Sequence, residues 1–591
     1  MTKRIGFGPV FAFECLTTSR RWQVYAGRAL LVTGVLIGLT LVWLNRLDGR
    51  ELTNYKQLAE VGSAIFRSIM AVELVLAIVV VPAATAGAIC QDKMRGGLTL
   101  MMVTDLSDAE IVLGKFASRL VTVLGVLACG LPVLAITSSL GGVDPVEALG
   151  GSMVVVGVAV LGVAVAITYS VWATRPHEAL MATYATWAVW LLAALVWGEM
   201  VRGPGWGPGS PNFLFLSNPF WLIFAVRGPA SGSILAPRAL FLVGCLAVSA
   251  VLAAVATWRI RPVTLRQASR AGRRTAPRRS TGGGWLPRVG LPEASLDRNP
   301  ILWRELHRRQ SSGWGRMIWW LYAVLSAVFT LLAIFANPGI APGVSAFMVS
   351  IGLLMVSVTA ATALAEERSQ GSLDVLMATP LPTRDIVLGK WRGAYRIVPR
   401  LAILPGVLAF GTSLGRERWT AAVPVAALIA AFVLAYGAVI TSLGLALATW
   451  QPRLGRSVGL SVSAYLTLAV IYPTFVLMTL HTGPDDVFFL WVSPFFGTFI
   501  PMGWVSWRIT SNIVEKFVAM SVWVVLISAI ASGLLWLTLA MFDRLLGRVP
   551  ELPEPFFRSP KRMPSSAEPI GGAAECDRSS ACGQIIKGKP I

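Results

Sequence analysis

The feature that most constrains this chain is a series of twelve apolar runs, each about as long as a helix that crosses a bilayer. About 20 apolar residues cross the roughly 30 Å hydrocarbon core as a helix, which satisfies its own backbone hydrogen bonds in lipid. The runs are too long for the strands of a membrane barrel. We therefore predict an all-α polytopic membrane protein with about twelve transmembrane helices. The candidate spans are approximately Ala26–Leu44, Ser68–Ile89, Leu120–Leu140, Ser152–Trp172, Leu180–Trp197, Ala239–Trp258, Met317–Ala336, Val344–Leu364, Val398–Leu414, Ala421–Ala448, Val458–Leu480 and Val518–Met541.

The distribution of positive charge predicts how the chain is oriented. The net charge is +21, yet only 14% of the residues are charged, against about 25% in soluble proteins. Most of the Lys and Arg lie in connections, above all between Arg259 and Arg316, where fourteen Arg face three acids. This is the pattern of the positive-inside rule rather than of a nucleic-acid-binding surface. We expect a multi-pass protein of the bacterial cytoplasmic (inner) membrane with both termini in the cytoplasm, in contact with lipid and with no nucleic acid as partner.

The chain contains an internal repeat. Residues 91–115 align without a gap on residues 366–390, at an offset of 275, with ten of twenty-five positions identical. Each copy lies between the second and third candidate spans of its half. Six spans per copy is an even number, so both copies enter the membrane in the same direction and form two parallel six-helix repeats. We assign residues 1–262 to the first repeat, 263–298 to a basic cytoplasmic linker, 299–546 to the second repeat and 547–591 to a disordered cytoplasmic tail.

The repeated segment resembles the cytoplasmic loop of ABC-2-type transporter permeases. The second copy follows the family pattern closely, and the first follows it more loosely, with Gln91 and Asp92 in place of two Glu residues and Asp105 in place of the turn proline. The matching residues of the second copy are Glu366, Glu367, Arg368, Gly371, Ser372, Leu373, Leu376, Thr379, Pro380, Leu381, Asp385, Ile386, Gly389 and Lys390. Those assigned to the first copy are Asp92, Lys93, Arg95, Gly96, Leu98, Thr104, Leu106, Glu110, Gly114 and Lys115.

The resemblance implies a site that couples the chain to an ATPase. In such permeases the loop between spans two and three forms a coupling helix that docks on a cytoplasmic ATPase. Asp92–Met102 and Glu367–Met377 mix charges with Leu and Met at helical spacing, as a docking helix requires. A solvated loop helix without a partner is the alternative.

The segments before spans 1 and 7 resemble the amphipathic elbow helices of the same family. Val10–Trp22 and Ile301–Trp314 mix aromatic and apolar residues with Arg, and Glu14 and Glu305 occupy matching places. We expect these acids to contact the ATPase or the coupling helix. A simple interfacial anchor is the alternative.

The chain lacks the loop that binds ATP. Such a loop ends in Gly-Lys-Ser/Thr, whereas Lys115 is followed by Phe116 and Lys390 by Trp391. We therefore expect no catalytic residues, no metal and no cofactor on this chain, with ATP and Mg²⁺ held by cytoplasmic ABC ATPase subunits in two copies. The resulting hypothesis is the permease of an ATP-driven exporter. A polytopic membrane enzyme and a non-transporting structural or regulatory subunit are the alternatives.

One intramembrane acid, Glu73, lies about one turn inside the second span. Charged residues within a membrane span are functional candidates by default. Glu73 could contact cargo or pair with an arginine, or it could be an interfacial carboxylate that reaches water.

Overall fold

In a computed structural model, the chain forms helices joined by turns, with no strand in the described part. The described residues are 8–20, 22–46, 55–139, 143–201, 217–224, 235–272, 300–308, 313–335, 338–369, 371–413, 419–473, 476, 487–506 and 513–547. The predicted tail from residue 548 onward and the linker from residue 273 onward lie outside these ranges.

Each predicted span coincides with a helix. Within the described ranges, nine helical stretches are long and apolar enough to cross a bilayer. They are Ile65–Met94, Asp108–Ser138, Pro145–Trp172, Leu235–Gln267, Pro338–Ser369, Thr383–Ser413, Val423–Trp450, Leu454–Ile471 and Val514–Leu546. The other three predicted spans, the first, fifth and seventh, coincide with Trp22–Arg46, Pro176–Val201 and Gly313–Phe335. The prediction of an all-α polytopic membrane protein is confirmed, and we keep the numbers 1 to 12 for these spans.

Spans 2 and 3 each change their helical hydrogen-bond pattern next to a proline. In span 2, a π-helical turn over Leu76–Val80 is followed directly by the helix Val81–Thr85, which contains Pro82. In span 3, the helix Asp108–Leu127 ends and a second helix begins at Leu131, one residue before Pro132. Proline removes a backbone donor and its ring crowds the preceding turn, so the helix locally changes its hydrogen-bond pattern or breaks.

Span 6 extends beyond the predicted start of the linker. Its helix runs from Leu235 to Gly272 and passes through Pro262, so residues 263–272, at the start of the predicted linker, are helical. The extension is held by its neighbours: Gln267 Nε2 donates to the carbonyl of Trp172 at 2.8 Å, and Arg261 Nε lies 3.2 Å from Asp108 Oδ1. These long-range contacts stabilise a helix that local composition does not favour.

Short helices lie in the two long connections that precede spans 6 and 12. They are Pro219–Phe224 in the first half, and Val487–Leu490 with Phe496–Ser506 in the second. The fully buried Arg238, near the start of span 6, donates from Nε to the carbonyl of Leu222 at 3.1 Å. It therefore ties the short helix of the first half to span 6.

Equivalent spans make equivalent contacts in the two halves. Span 4 packs along span 6, and span 10 packs along span 12. Between the halves, span 5 packs on span 8 and also on span 7, while span 11 packs on span 2. Spans 2 and 8 hold the same place in the repeat, as do spans 5 and 11, so the junction between the halves uses the same pair of positions twice.

Candidate functional site

The two copies of the repeated segment form two hairpins, which we call the first hairpin (residues 91–115) and the second hairpin (residues 366–390). They lie at the same end of the helix bundle. Lys93 of the first hairpin donates to the carbonyls of Val171 and Ala173 at the end of span 4. Two residues further on, Arg175 pairs with Glu366 of the second hairpin. A continuous set of contacts therefore joins the hairpins.

A left-handed glycine divides each hairpin at the same position. Gly96 has φ +73° and Gly371 has φ +71°, a region that favours glycine because other residues are strained there. The N–H of Gly96 donates to the carbonyl of Lys93, and that of Gly371 to the carbonyl of Arg368. Each glycine thus ends the span helix, as is typical of a helix C-terminus.

The two predicted docking helices are shorter than expected. We predicted helical segments from Asp92 and from Glu367 that run past the glycines. The structure instead has short helices after each glycine, Gly97–Val103 and Ser372–Met377, which we call the docking helices. This part of the prediction is wrong because the charged residues before each glycine belong to the last turns of spans 2 and 8.

In the first hairpin, a buried lysine joins three elements. Lys115 Nζ, near the start of span 3, lies 2.8 Å from Glu14 Oε1 of the first elbow helix and 2.5 Å from Asp92 Oδ2 at the end of span 2. Arg119 Nη2 lies 3.3 Å from the other carboxylate oxygen of Glu14. We call these four residues the first lysine cluster; it holds two cations and two carboxylates.

The second hairpin has the same arrangement in a more buried form. Lys390 Nζ lies 2.5 Å from Glu305 Oε1 and 2.7 Å from Glu367 Oε1. Arg304 Nη2 also lies 2.7 Å from Glu367 Oε1. In this second lysine cluster the Glu367 and Glu305 side chains are 2% and 7% exposed, against 26% and 20% for Asp92 and Glu14. The second cation comes from the elbow helix here and from span 3 in the first cluster, so the same charge balance is reached with a different residue.

The clusters explain the places of Glu14 and Glu305. The elbow helices Gly8–Ser19 and Pro300–Arg308 pack on the starts of spans 3 and 9. The ion pairs of these two acids are with Lys115, Arg119 and Lys390 at the starts of spans 3 and 9, and their contact with the ATPase or the coupling helix stays a prediction. Gly393 leaves room for this approach, since a Cβ there would lie 3.1 Å from Cβ of Glu305.

A second contact that recurs in both halves is made by the basic residue that follows Asp92 and the one that follows Glu367. Lys93 donates to carbonyls at the end of span 4, and Arg368 Nη1 donates to the carbonyl of Thr449 at the end of span 10, at 2.8 Å. A cation at a helix C-terminus meets carbonyls without helical partners and the negative end of the helix dipole. The predicted coupling residues Lys93 and Arg368 therefore fasten spans 4 and 10 to the hairpins.

The turn that leads out of each docking helix begins alike in the two halves and then differs. Thr104 Oγ1 donates to the carbonyl of Met101, and Thr379 Oγ1 to that of Leu376, both at 2.6 Å. In the first hairpin, Ser107 and Glu110 then form a capping box at the start of span 3. Pro382 takes the place of that serine in the second hairpin, where the cap has no side-chain hydrogen bond.

The remaining predicted site residues divide into a buried and a solvent-facing set. Leu98, Leu373, Gly114 and Gly389 are buried, whereas Leu106, Leu381 and Asp385 are partly buried. Arg95, Gly96, Gly371, Thr104 and Pro380 are exposed or partly so, with Thr379 half-buried. Most of the charged residues that we expected to face a partner are therefore engaged inside the hairpins.

Both docking helices expose apolar side chains that sequence reasoning did not single out. Leu100 is 71% and Val103 is 85% exposed on the first docking helix, and Val375 is 72% exposed on the second. Leu100 and Val375 occupy equivalent positions of the repeat. Their signal in the sequence is the helical spacing from the buried Leu98 and Leu373, since a residue two positions away lies on another face.

One ion pair links a hairpin to the opposite half. Arg175 Nη1, between spans 4 and 5, lies 3.0 Å from Glu366 Oε1. On the equivalent side, Gln91 lies beside the start of span 11, where a Cβ on Gly455 would be 3.5 Å from Gln91 Nε2. Position 366 and its counterpart 91 thus both face the other half.

Glu73 does not reach water. The residue is buried, and its Oε1 meets no hydrogen-bond partner among the described residues. It lies against Gly130, at the break in span 3, where a Cβ would lie 1.7 Å from Oε1. The interpretation of Glu73 as a water-exposed interfacial carboxylate is therefore wrong.

The fold defines a multi-pass helical membrane protein whose two hairpins lie at one end of the bundle. Residues 340–544 match the family model described as ABC-2 family transporter protein. This part of the chain is similar to ABC-2 family transporter proteins, a family of membrane components of ABC transporters. The matched region contains the whole second hairpin and spans 8 to 12. No curated protein matches the chain.

Proposed function

We propose that this chain is the complete membrane permease of an ATP-driven exporter, with both permease units fused. Its two docking helices would contact a pair of cytoplasmic ABC ATPase subunits. ATP and Mg²⁺ would be bound by those subunits, and movement of the ATPases would reach the spans through the hairpins. The chain would lie in a bacterial cytoplasmic membrane with its hairpins and both termini in the cytoplasm.

The observation that carries this proposal is the pair of lysine clusters. Each cluster fixes a span end, the start of the next span and an elbow helix around one buried ammonium group. A charge held by several partners in a buried site resists displacement, because removing any partner leaves an uncompensated charge. A force on the docking helix would therefore move three elements together.

The fusion of two permease units rests on geometry that both halves share. The left-handed glycine, the lysine with two carboxylates, and the cation on the neighbouring helix end recur at equivalent positions. The contacts between the halves also use equivalent spans. We infer that residues 1–262 form a second ABC-2-like unit, although the family match covers only the second half.

We place the cargo path along the junction between the halves. The junction is formed by spans 2, 5, 7, 8 and 11, and the π-helical turn Thr467–Ile471 of span 11 contacts span 2. Span 2 carries its own π-helical turn, and such turns are frequent at functional sites. Rocking of one half against the other would open this junction.

The test is whether the exposed docking residues are needed to retain an ATPase. The full chain is purified from its native membranes and the MgATP hydrolysis of the co-purified material is measured, for the wild type and for Leu100→Asp and Val375→Asp. Because burying a leucine or valine contributes about 1.5–3 kcal/mol, each substitution should lower ATPase retention about tenfold or more. Val146→Asp is the control, since Val146 is an exposed apolar residue at the opposite end of span 4.

Two outcomes would contradict the proposal. One is purified chain that folds normally and carries no ATP hydrolysis. The other is equal retention of the ATPase by the wild type and by a variant that carries both Leu100→Asp and Val375→Asp.

A further inference from the structure

We propose that each half of the protein binds the phosphate of an anionic lipid between its first and third spans. Arg28 would be the ligand in the first half, between spans 1 and 3. Arg400 would be the ligand in the second half, between spans 7 and 9. The lipid would belong to the leaflet on the side of the hairpins.

In the first half, the guanidinium of Arg28 lies against the backbone of span 3. A Cβ added to Gly125 would lie 2.4 Å from Arg28 Nη2, so the absence of a side chain at Gly125 makes room for the group. Arg28 Nε is buried and meets no acceptor in the described part of the chain. The guanidinium also lies over the ring of Tyr25, whose centroid is 5.8 Å from Cζ.

In the second half, the corresponding arginine belongs to the other span of the pair. It is Arg400 of span 9, whereas Arg28 belongs to span 1. Spans 1 and 7 begin at Trp22 and Gly313, an offset of 291 that also relates Glu14 to Glu305, so the counterpart of Arg28 is Trp319. The hairpin offset of 275 makes Arg400 the counterpart of Gly125. The pair Arg28 and Gly125 in the first half thus corresponds to the pair Trp319 and Arg400 in the second half.

Neither arginine has an acidic partner in the part of the chain that the structure describes. None of the ion pairs found among the described residues includes Arg28 or Arg400. A guanidinium near or within a membrane is costly unless it meets an anion or water. Each half has one arginine at this position, although the two arginines belong to different spans. We infer that an anion from outside the chain binds each of them.

The position of both arginines favours a lipid as the source of that anion. Gly125 and Arg400 each lie ten residues beyond the buried lysine of their hairpin, about 15 Å along an ideal helix. Trp22 and Trp320 are strongly exposed near the starts of spans 1 and 7, as aromatic residues are at a membrane interface. Arg side chains bind phosphate through two N–H groups, and anionic headgroups attract basic residues at this depth.

Exposed apolar residues on the same helices favour lipid over cargo. Val121, one turn before Gly125, and Ile403, one turn after Arg400, are both more than half exposed. Spans 3 and 9 therefore present an apolar surface beside each arginine, as a lipid acyl chain requires. The correspondence between the two halves rests on the proposed duplication. Lipid binding can nevertheless be measured independently of ATP turnover.

The experiment counts lipids that remain bound to the full chain in native mass spectrometry. The protein is purified in a neutral detergent and exposed to phosphatidylglycerol, to phosphatidylcholine, or to phosphatidylglycerol with excess inorganic phosphate. The wild type should retain about two phosphatidylglycerol molecules more than the Arg28→Gln/Arg400→Gln variant, and each single variant should lose about one. Arg384→Gln removes an equally exposed charge from the second hairpin and should lose none.

The arrangement of the second half supplies a variant that separates binding from folding. Arg28→Trp with Gly125→Arg copies that arrangement into the first half and should restore the lipid lost in Arg28→Gln. Equal retention by the wild type and the Arg28→Gln/Arg400→Gln variant would overturn the inference, as would equal loss in Arg384→Gln. Displacement by inorganic phosphate would assign the sites to free phosphate and overturn the lipid assignment.

Discussion

Replacing Lys390 with methionine tests how the hairpins are held. Methionine keeps most of the side-chain volume but removes the ammonium group that lies 2.5 Å from Glu305 and 2.7 Å from Glu367. Both carboxylates are almost fully buried, so each would lose its contact with the ammonium group, while Glu367 would keep its ion pair with Arg304. Removing one partner of a buried ion pair typically costs about 3–5 kcal/mol. We expect a loss of stability in that range.

The first hairpin provides a matched comparison. Lys115→Met removes the equivalent ammonium, but its partners Asp92 and Glu14 are 26% and 20% exposed, so water can solvate them. The expected cost is about 1–2 kcal/mol, closer to that of an unsatisfied polar group. The second hairpin should therefore be the more sensitive of two sites that look alike in sequence.

A second substitution distinguishes charge from packing. Adding Glu305→Gln to Lys390→Met removes one of the two buried carboxylates that lost the ammonium group, so the double variant should be more stable than Lys390→Met alone. The assay is the apparent Tm of the purified full chain in detergent, followed by fluorescence-detected size exclusion. The reasoning is refuted if Lys115→Met lowers the Tm as much as Lys390→Met, or if Glu305→Gln adds to the loss.

Five further substitutions test the local geometry through the same Tm. Gly371→Ala should cost about 1–2 kcal/mol because φ is +71° and the space around it is open, and Gly371→Asn should cost less; equal effects would contradict a conformational origin. Gly437→Ala should cost about 1–3 kcal/mol because a Cβ would lie 2.2 Å from Val398 Cγ1, whereas Gly459→Ala, in open space, should be neutral or stabilising. Ser107→Ala should cost about 0.5–2 kcal/mol through loss of the capping box, and an unchanged Tm would show that the cap is dispensable.

The sequence alone predicted the helical class and the positions of the spans, because a bilayer imposes a length and an apolar composition that can be read locally. It also identified Lys115, Lys390, Glu14 and Glu305 as special through their repetition. Their contacts could not be predicted, since Lys115 meets a carboxylate 101 residues earlier in the chain.

The errors have two physical causes, a backbone conformation and long-range contacts, and neither can be read from helical spacing. The residues before Gly96 and Gly371 have helical spacing with those that follow, and spacing does not show that a left-handed glycine separates them. The helix through Pro262 was missed because it depends on contacts with spans 3 and 4 rather than on propensity. Likewise, nothing local indicates that Arg175 pairs with Glu366 across the junction of the halves.

The most direct measurement is thiol labelling from each side of a sealed membrane. Leu100→Cys and Val375→Cys are introduced separately after the six native cysteines are replaced, and a membrane-impermeant maleimide is applied to right-side-out and inverted vesicles. We predict that both positions react only in inverted vesicles and that the co-purifying ATPase protects both. Reaction of the two positions from opposite sides, or of either one equally with and without the ATPase, would contradict the account of two equivalent docking helices.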